Sequence, residues 1–219
     1  VHLNGPFFPN LSFFAMKYAR SPVVATFHSA SDRKFEPAGW VYRIFFGRYY
    51  EKLSVKIAVS RYAEETYRIF IPGEYIIVPN AVDTERFRPE GEKIEWMRNK
   101  LTILFVGRLD KRKGLHRLLR AFPLVLKKVD ATLVVVGSGP LYERYREDVR
   151  RMGIEEKVVW VGRVSEEELP AYYRSCTVYT SPAMGNESFG IVLIEAMASG
   201  VPVVASMIRG YDEVIEHGE

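Results

Sequence analysis

LTILFVGRLDKRKGLHRLLRAF, residues 101–122, contains the pattern that decides the fold class. It opens with an almost wholly apolar run that ends at Val106, which is typical of a strand covered on both faces. After Gly114, leucines and Phe122 recur at the spacing i, i+3, i+4 and i+7, which predicts an amphipathic helix. A buried strand followed by such a helix is the unit from which parallel α/β sheets are built.

The same alternation of strand and helix patterns continues along the chain. Further strands are predicted over residues 22–27, 56–59, 75–78, 132–136, 157–161, 176–180 and 201–205. The segment Val1-His2-Leu3 is typical of a strand end, Ser60 is expected to cap a helix, and Ser165 and Glu168 have capping-box spacing. We therefore predict an α/β fold with two Rossmann-like, doubly wound parallel sheets.

A polar segment rich in turn-forming residues divides the chain. DTERFRPEG, residues 83–91, precedes the fresh buried strand at Leu101. We interpret it as a linker between an N-terminal domain, residues 1–90, and a C-terminal domain, residues 91–219. The first domain has only about three predicted strands, so we expect it to be truncated at its N-terminal side. We expect the second to lack its last elements.

Composition excludes several classes of protein. Hydrophobic residues make up 47% and charged residues 26% of the chain, an ordinary balance for a globular protein. No apolar run approaches the ~18 residues of a membrane-spanning helix. The net charge of +4 is mild and is not concentrated in a nucleic-acid-binding tail. The single cysteine, Cys176, excludes an internal disulfide; it is predicted to be a buried structural thiol in a reducing compartment.

The loop after the strand at 101–106 is the first candidate for chemistry. It contains Arg108 and Lys113 and opens a helix. Ligands of open α/β sheets bind at the carboxyl ends of strands, where cations and free helix amides can hold phosphate oxygens. The alternative is a basic surface turn, and the sequence favours neither interpretation.

The second candidate is a pair of carboxylates. Glu195 lies on an apolar face of the helix predicted at 191–198, where a charge is costly unless a partner satisfies it. Glu187 lies eight residues earlier, which in a continuous helix would be ~12 Å of rise. Bound hydroxyls would be natural partners for both. The alternatives are a base paired with Glu195 and an ordinary first-turn role for Glu187.

Two weaker signals complete the set. His28 follows a buried strand, although a lone histidine is more often structural. Residues 137–140, GSGP, begin like a dinucleotide fingerprint, but Tyr142 replaces the third glycine and Lys157 occupies roughly the acidic position. The sequence has no Asp-x-Asp and no His/Cys ligand spacing, so no metal is predicted.

Together these motifs resemble family 4 of the retaining glycosyltransferases, which have the GT-B fold. The motifs are VATFHS (24–29), VPNAVDTERFRP (78–89), VGRLDKRKG (106–114), LVVVGSGP (133–140) and ESFGIVLIEAMASGVPVVAS (187–206). The last contains the specific E-x7-E signature, and the resemblance covers essentially the whole chain. Within the family, the chain is most similar to bacterial phosphatidylinositol mannosyltransferases.

The resemblance implies a role for each motif residue. Arg108 and Lys113 would bind the donor diphosphate, Glu195 the ribose hydroxyls and Glu187 the sugar hydroxyls. His28 would lie beside the sugar. Residues near the nucleotide, sugar or phosphate would further include Gly139, Ser188, Phe189, Gly190 and Ile191. His28, Arg108, Lys113 and Glu187 would form the catalytic set.

The resemblance also implies an activity. It is the transfer of a hexose, with mannose as the first choice, from a nucleotide sugar such as GDP-mannose to a lipid or glycan acceptor such as phosphatidylinositol. No metal or other cofactor is expected. The setting would be cytoplasmic and peripheral on the inner face of the membrane. The family's Gly-rich loop, most of its acceptor site and its membrane-binding surface would precede Val1, so we expect this chain alone to be inactive.

Several other functions remain open at this stage. A non-catalytic nucleotide-sugar-binding module would keep the same residues without turnover. A GT-B sugar-nucleotide epimerase would convert the donor without an acceptor. A Rossmann dehydrogenase is disfavoured by the broken glycine fingerprint, and a purely structural fragment would leave Glu195 unexplained.

Overall fold

A computed structural model describes residues 1–32 and 36–218 of the chain. Contacts divide the chain into two compact units. The N-terminal unit comprises residues 1–80 together with 185–190 and the segment from Ile208 onward. The C-terminal unit comprises Ala81–Met184 and Ile191–Met207. The boundary after residue 90 stays a prediction, although contacts group residues 81–90 with the C-terminal unit.

The N-terminal unit contains a parallel sheet of four strands in the order β1-β2-β3-β4 among the described residues. The strands are β1 His2–Asn4, β2 Val23–Phe27, β3 Leu53–Ala58 and β4 Ile76–Ile77, and the helices are α1 Leu11–Tyr18, α2 Glu36–Tyr50 and α3 Arg61–Arg68. Phe13, Phe27 and Ile71 are buried in its core. The Ser60 hydroxyl accepts the Ala63 amide at 3.0 Å, which confirms the predicted cap of α3.

The C-terminal unit contains a parallel sheet of five described strands in the order β7-β6-β5-β8-β9. The strands are β5 Leu101–Val106, β6 Ala131–Val136, β7 Val158–Gly162, β8 Val178–Ser181 and β9 Val203–Ala205. The helices are α4 Leu115–Leu126, α5 Tyr142–Arg151, α6 Leu169–Ser175 and α7 Ile191–Ala198, and short 3-10 turns cover Glu95–Met97 and Glu155–Lys157. In chain order this arrangement reads 3-2-1-4-5, a doubly wound topology.

Burial in the C-terminal unit follows the pattern that the sequence predicted. Leu104 and Phe105 of β5 are both buried although they point to opposite faces, so helices cover the sheet on both sides. The face of α4 that contains Leu115, Leu118 and Phe122 packs into the core. Ser165 and Glu168 exchange side-chain-to-amide hydrogen bonds, which confirms the capping box before α6.

Two predicted strands begin two residues later than expected, for local reasons. Cys176 was placed in a strand, but its amide donates to the Tyr173 carbonyl at the end of α6, and β8 starts at Val178. The strand predicted from Val201 starts after Pro202, because proline has no N–H to donate to the ladder. Cys176 is buried, as predicted, and burial raises the pKa of its thiol to about 12.

The polar segment interpreted as a linker is attached to the C-terminal unit by specific contacts. Phe87 is buried against the Tyr173 ring, with ring centroids 5.9 Å apart. The Ile94 amide donates to the Ser175 hydroxyl at 2.7 Å. No helix within residues 1–32 and 36–218 is long and apolar enough to cross a membrane.

Candidate functional site

The strand order of the C-terminal unit places two loops at its topological switch point. Strands β5 and β8 are neighbours, and the chain leaves them toward helices on opposite faces, so a crevice forms outside their carboxyl ends. The loop 107–114 follows β5, and the loop that begins at Pro182 follows β8. The Met184 amide donates to the Arg112 carbonyl at 2.8 Å, so the two loops contact each other through their backbones.

Gly114 shows how tightly these loops pack. Its φ is +71°, and a Cβ placed on it would lie 1.9 Å from the Pro182 carbonyl oxygen. Only glycine therefore fits where the loop turns into α4. The consequence is that the first free amides of α4 lie beside the loop that follows β8.

The Arg108 side chain and the Lys113 backbone both contact Asp110. Arg108 is 70% exposed, and its Nε lies 3.7 Å from the Asp110 carboxylate. The Lys113 amide donates to the same carboxylate at 3.1 Å. Two basic side chains next to a helix N-terminus form an arrangement suited to phosphate. These contacts fit the predicted role of Arg108 and Lys113, which stays a prediction.

The glycines after β6 allow the loop after β6 to pack closely against the loop after β5. A Cβ on Gly137 would lie 2.0 Å from the Gly107 carbonyl oxygen, and one on Gly139 would lie 2.6 Å from the Leu109 nitrogen. The Leu109 amide donates to the Ser138 carbonyl at 3.0 Å. This backbone-to-backbone contact explains why residues 137–139 begin like a dinucleotide fingerprint and then depart from it. The predicted position of Gly139 near a nucleotide stays a prediction.

A cavity of about 410 Å³ opens at the carboxyl ends of β5, β6 and β7. Its lining comprises Val106, Gly107, Arg108, Val136, Gly137, Ser138, Arg163, Val164 and Leu169. The lining combines aliphatic side chains with two arginines, which suits a flat heterocycle attached to an anion. Our sequence analysis missed Arg163, although it follows β7 directly and the rule applied to Arg108 would have found it.

Glu195 has a protein partner. Its carboxylate accepts a hydrogen bond of 2.8 Å from the hydroxyl of Tyr173, which is wholly buried. Burial raises the pKa of Glu195, while the Tyr173 hydrogen bond and the charge of Arg86 act in the opposite direction. The sequence correctly predicted a carboxylate that needs a partner, but it missed Tyr173 and Arg86. Tyr173 lies outside the quoted motifs, and Arg86 lies within VPNAVDTERFRP without having been singled out.

Glu187 lies outside the helix that contains Glu195. Helix α7 begins at Ile191, so the continuous-helix rise does not describe their separation, and a first-turn role for Glu187 is wrong. Contacts group Gly185–Gly190 with the N-terminal unit. There Glu187 is 8% exposed, and a Cβ on Gly210 would lie 1.9 Å from its carbonyl oxygen.

The next three motif residues precede α7. Phe189 and Gly190 are buried and Ser188 is half-buried, whereas Ile191, the first residue of the helix, is 45% exposed. Gly190 has a φ of +87°, which allows the chain to turn into α7. The predicted ligand contacts of Ser188, Phe189, Gly190 and Ile191 stay predictions.

His28 is the predicted site residue of the N-terminal sheet. It follows β2, and its Nε2 lies 2.9 Å from the Asn4 side-chain oxygen at the end of β1. Burial, followed by the electrostatic interaction with His2, lowers the pKa of His28, which favours the neutral form of its imidazole. Our sequence analysis did not identify Asn4. Among the described residues, no group of three or more His, Cys, Asp or Glu could hold a metal.

Comparison with known proteins places this geometry in a family. Residues 87–219 match the model described as "Glycosyl transferases group 1", and residues 1–86 match "Glycosyltransferase Family 4". The chain is 35% identical over 221 residues to a phosphatidyl-myo-inositol mannosyltransferase of Mycobacterium leprae, covering all of this chain and 58% of that protein. A Mycobacterium tuberculosis GDP-mannose-dependent alpha-(1-6)-phosphatidylinositol monomannoside mannosyltransferase is 36% identical over 159 residues, covering 67% of this chain and 41% of that one.

Solved structures show the same fold. Anabaena Alr3699/HepE in complex with UDP-glucose has a TM-score of 0.77 at 22% identity, over 94% of this chain and 58% of that one. The sucrose-phosphate synthase of Thermosynechococcus elongatus has a TM-score of 0.73 at 25% identity, over 98% of this chain and 57% of that one. The chain thus spans somewhat more than half the length of these proteins, and the predicted GT-B architecture is confirmed. The chain belongs to the glycosyl transferases group 1 family, and its first 86 residues match glycosyltransferase family 4.

Proposed function

We propose that this chain carries the donor-binding site of a retaining glycosyltransferase that transfers mannose from GDP-mannose to a lipid acceptor such as phosphatidylinositol. The observation that carries the proposal is the basic loop with Arg108 and Lys113, which ends at the N-terminus of α4 in the switch-point crevice. Two relatives whose names specify mannosyl transfer to phosphatidylinositol compounds support the choice of sugar and acceptor.

The donor's nucleotide half fits the C-terminal unit. We assign the heterocyclic base to the cavity at the ends of β5–β7, which Arg163 lines. The ribose hydroxyls would donate to the Glu195 carboxylate, which is half-buried and already oriented by Tyr173. The diphosphate would lie at the loop 107–114. For the sugar we keep the roles that the family resemblance implies. Glu187 would bind the sugar hydroxyls and His28 would lie beside the sugar. We propose no metal for the reaction.

In the proposed reaction, the bond between the anomeric carbon and the donor phosphate oxygen breaks, and the nucleoside diphosphate leaves with the electron pair. The acceptor oxygen forms a new bond to the anomeric carbon on the same face. The hydroxyl proton passes to the departing phosphate. Arg108 and Lys113 would stabilise the negative charge that grows on that phosphate in the transition state. A lipid acceptor would place the reaction at the cytoplasmic face of a membrane.

Calorimetric titration of the chain with GDP, UDP and ADP and their sugars tests the donor assignment. Lys113→Ala is expected to weaken binding of the preferred nucleotide about tenfold or more, as for one lost charge-assisted hydrogen bond. The matched control is Lys111→Ala, an exposed lysine of the same loop, which we expect to change binding less than about threefold. Equal losses in both variants would contradict a specific diphosphate site.

Product analysis separates the alternatives that the sequence left open. Glycolipid with the donor's anomeric configuration indicates the retaining transferase. An epimerised nucleotide sugar without acceptor would indicate the epimerase. Binding with neither product would indicate a non-catalytic module.

A further inference from the structure

A second cavity of the C-terminal unit lies at the end of the sheet opposite the donor crevice. It has a volume of about 320 Å³ and is lined by Lys93, Met97, Arg98, Asn99, Lys100 and Ser175. Lys100 immediately precedes β5, and Ser175 ends α6 before β8, so the cavity lies at the amino ends of these neighbouring strands. The donor crevice lies outside their carboxyl ends. The six residues of β5 span about 20 Å, so the two places do not overlap.

The side chains that line this amino-end cavity include three cations and no carboxylate. Lys93 and Lys100 form no ion pair within the part of the chain that the structure describes. Arg98 pairs with Glu95 at 3.0 Å, but both side chains are exposed, so water screens this pair. Like charges around one concave surface repel each other, and a bound anion would remove that repulsion.

Hydrogen bonds hold the walls of the amino-end cavity in place. The Lys100 amide donates to the carbonyl of Met97, a buried residue, at 3.3 Å. The Ser175 hydroxyl accepts the Ile94 amide at 2.7 Å and donates to the Ala171 carbonyl at 2.6 Å. The cationic side chains therefore project from a backbone that is already fixed. A ligand would not have to order that backbone first, which favours binding.

The backbone conformation of Asn99 brings several lining side chains together. Its φ is +59°, in the left-handed region that Asn adopts more readily than most residues. In an extended strand, consecutive side chains point to opposite sides. The turn at Asn99 instead allows Arg98, Asn99 and Lys100 to line the same cavity. Such conformations cost free energy and cluster at functional sites.

A fourth cation lies beside the same segment. The guanidinium carbon of Arg174 lies 3.2 Å from the position that a Cβ on Gly91 would occupy. The Nε and Nη1 atoms of Arg174 are buried and have no hydrogen-bond partner among the described residues. A buried guanidinium without acceptors keeps its positive field. Because Arg174 precedes the lining residue Ser175, it adds to the positive potential near the cavity.

We propose that the amino-end cavity binds a hexose phosphate, with the phosphate held by Lys93, Arg98 and Lys100. Clustered Lys and Arg side chains are the usual protein partners of a phosphate dianion. The volume is at the lower end of the range for small-molecule sites, which suits one sugar ring with its phosphate. The Asn99 side chain offers both a donor and an acceptor for sugar hydroxyls. This site goes beyond the proposed donor site and uses none of its residues.

Calorimetric titration of the 219-residue chain tests the proposal. The probes are glucose 6-phosphate, mannose 6-phosphate, glucose and inorganic phosphate. We expect a hexose 6-phosphate to bind, free glucose not to bind, and inorganic phosphate to bind about fivefold more weakly because it lacks hydroxyls for Asn99. No binding of either hexose phosphate would overturn the proposal. Inorganic phosphate binding as tightly as the hexose phosphates would overturn the assignment to a sugar.

Charge substitutions locate the bound phosphate. Lys93→Gln with Lys100→Gln should weaken hexose phosphate binding about tenfold, about threefold for each exposed cation. The matched control is Lys127→Gln with Lys128→Gln, which removes two exposed lysines of the same unit that do not line the cavity. The control should bind within about twofold of wild type. Equal losses in the two double variants would indicate attraction by overall charge and would overturn the proposal.

Asn99→Asp tests the site while keeping the shape of the side chain. Asp also tolerates the left-handed conformation, so the turn and the unfolding temperature should be nearly unchanged. The new carboxylate would repel the phosphate, and hexose phosphate binding should weaken about fivefold or more. Unchanged affinity in a folded Asn99→Asp variant would contradict the proposed position of the ligand.

Two measurements separate this site from the donor site. Mannose 6-phosphate should shift the NMR amide signals of residues 93–100 and leave those of residues 107–114 nearly unchanged. Lys113→Ala should bind mannose 6-phosphate like wild type, and loss of that binding would move the ligand to the donor loop and overturn the proposal. Absent nucleotide binding with intact hexose phosphate binding would identify failure of the donor proposal alone, and the reverse result failure of this proposal alone.

Discussion

Replacing Tyr173 by phenylalanine isolates one hydrogen bond in the C-terminal unit. The hydroxyl donates to the Glu195 carboxylate at 2.8 Å; Tyr173 is wholly buried and Glu195 is half-buried. The phenylalanine ring would keep the contacts with Phe87 at 5.9 Å and Tyr179 at 5.3 Å. The substitution therefore removes a donor to a charged acceptor with little change in packing.

The loss of the hydrogen bond to Glu195 sets the expected decrease in the free energy of unfolding of Tyr173→Phe. A hydrogen bond to a charged group contributes about 1.5–3 kcal/mol to stability. For a chain of this length, about 2 kcal/mol corresponds to a fall of about 4–8 °C in Tm. Urea unfolding at pH 7 measures the free energy, and Tyr172→Phe on the same helix reports the cost of losing a hydroxyl at a half-buried position.

The pH dependence of this loss gives a second check. Burial raises the pKa of Glu195, so the folded state holds that proton more tightly than the unfolded chain does. Stability contributed by this group is present below about pH 4 and is lost as the pH rises through the raised pKa. Removing Tyr173 raises the pKa further, so the difference from wild type should grow over that range. A difference equal to that of Tyr172→Phe at every pH would refute the reasoning.

Two other substitutions test the geometry of each unit. Gly114→Ala should cost about 3–5 kcal/mol in urea unfolding, because its Cβ would lie 1.9 Å from the Pro182 oxygen; Gly153→Ala, with a φ of +67° but no atom within 4 Å, should cost about 1–2 kcal/mol. The NMR titration of His28 should have its midpoint below the ordinary 6.5, and His2→Gln should raise it. Similar costs for both glycines, or a midpoint that ignores His2, would contradict these contacts.

The sequence predicted the core of the fold because the relevant signals are local. Residues 101–106 were predicted as a strand and form β5 with those bounds. In an α/β protein, a continuous apolar run of that length is typical of a strand that is covered on both faces. Ser60, Ser165 and Glu168 predicted caps because capping depends on residues three positions apart. These features need no knowledge of the rest of the chain.

The site was only partly predictable because its partners are distant in sequence. Tyr173 is twenty-two residues from Glu195, and nothing in LPAYYRS, residues 169–175, distinguishes its two tyrosines. Arg163 follows β7 as Arg108 follows β5, but only the order of β5, β6 and β7 shows that these strand ends share one cavity. A residue's own motif predicts its need for a partner, but only the tertiary structure identifies the partner.

The glycines of residues 137–139 show that one local pattern can have more than one physical cause. A fingerprint for dinucleotides and a close contact between two loops both require residues without a Cβ. Tyr142 and Lys157 disfavour the fingerprint, but only the structure identifies the loop contact, because the atom that a Cβ on Gly137 would strike, the Gly107 carbonyl oxygen, lies thirty residues away.

Glu195 has a partner that is distant in sequence, and its motif allows more than one role. A substitution at Glu195 must therefore separate its contact with Tyr173 from a contact with the donor. Glu195→Ala would leave the buried Tyr173 hydroxyl without its acceptor, at a cost of about 1–3 kcal/mol, so lost nucleotide binding could reflect a damaged fold. Glu195→Gln keeps an oxygen for Tyr173 and removes a charge that burial disfavours, so stability at pH 7 should be unchanged or higher. If ribose hydroxyls donate to the carboxylate, nucleotide affinity should nevertheless fall about tenfold. A stable Glu195→Gln variant that binds nucleotide like wild type would show that Glu195 serves Tyr173 and not the donor.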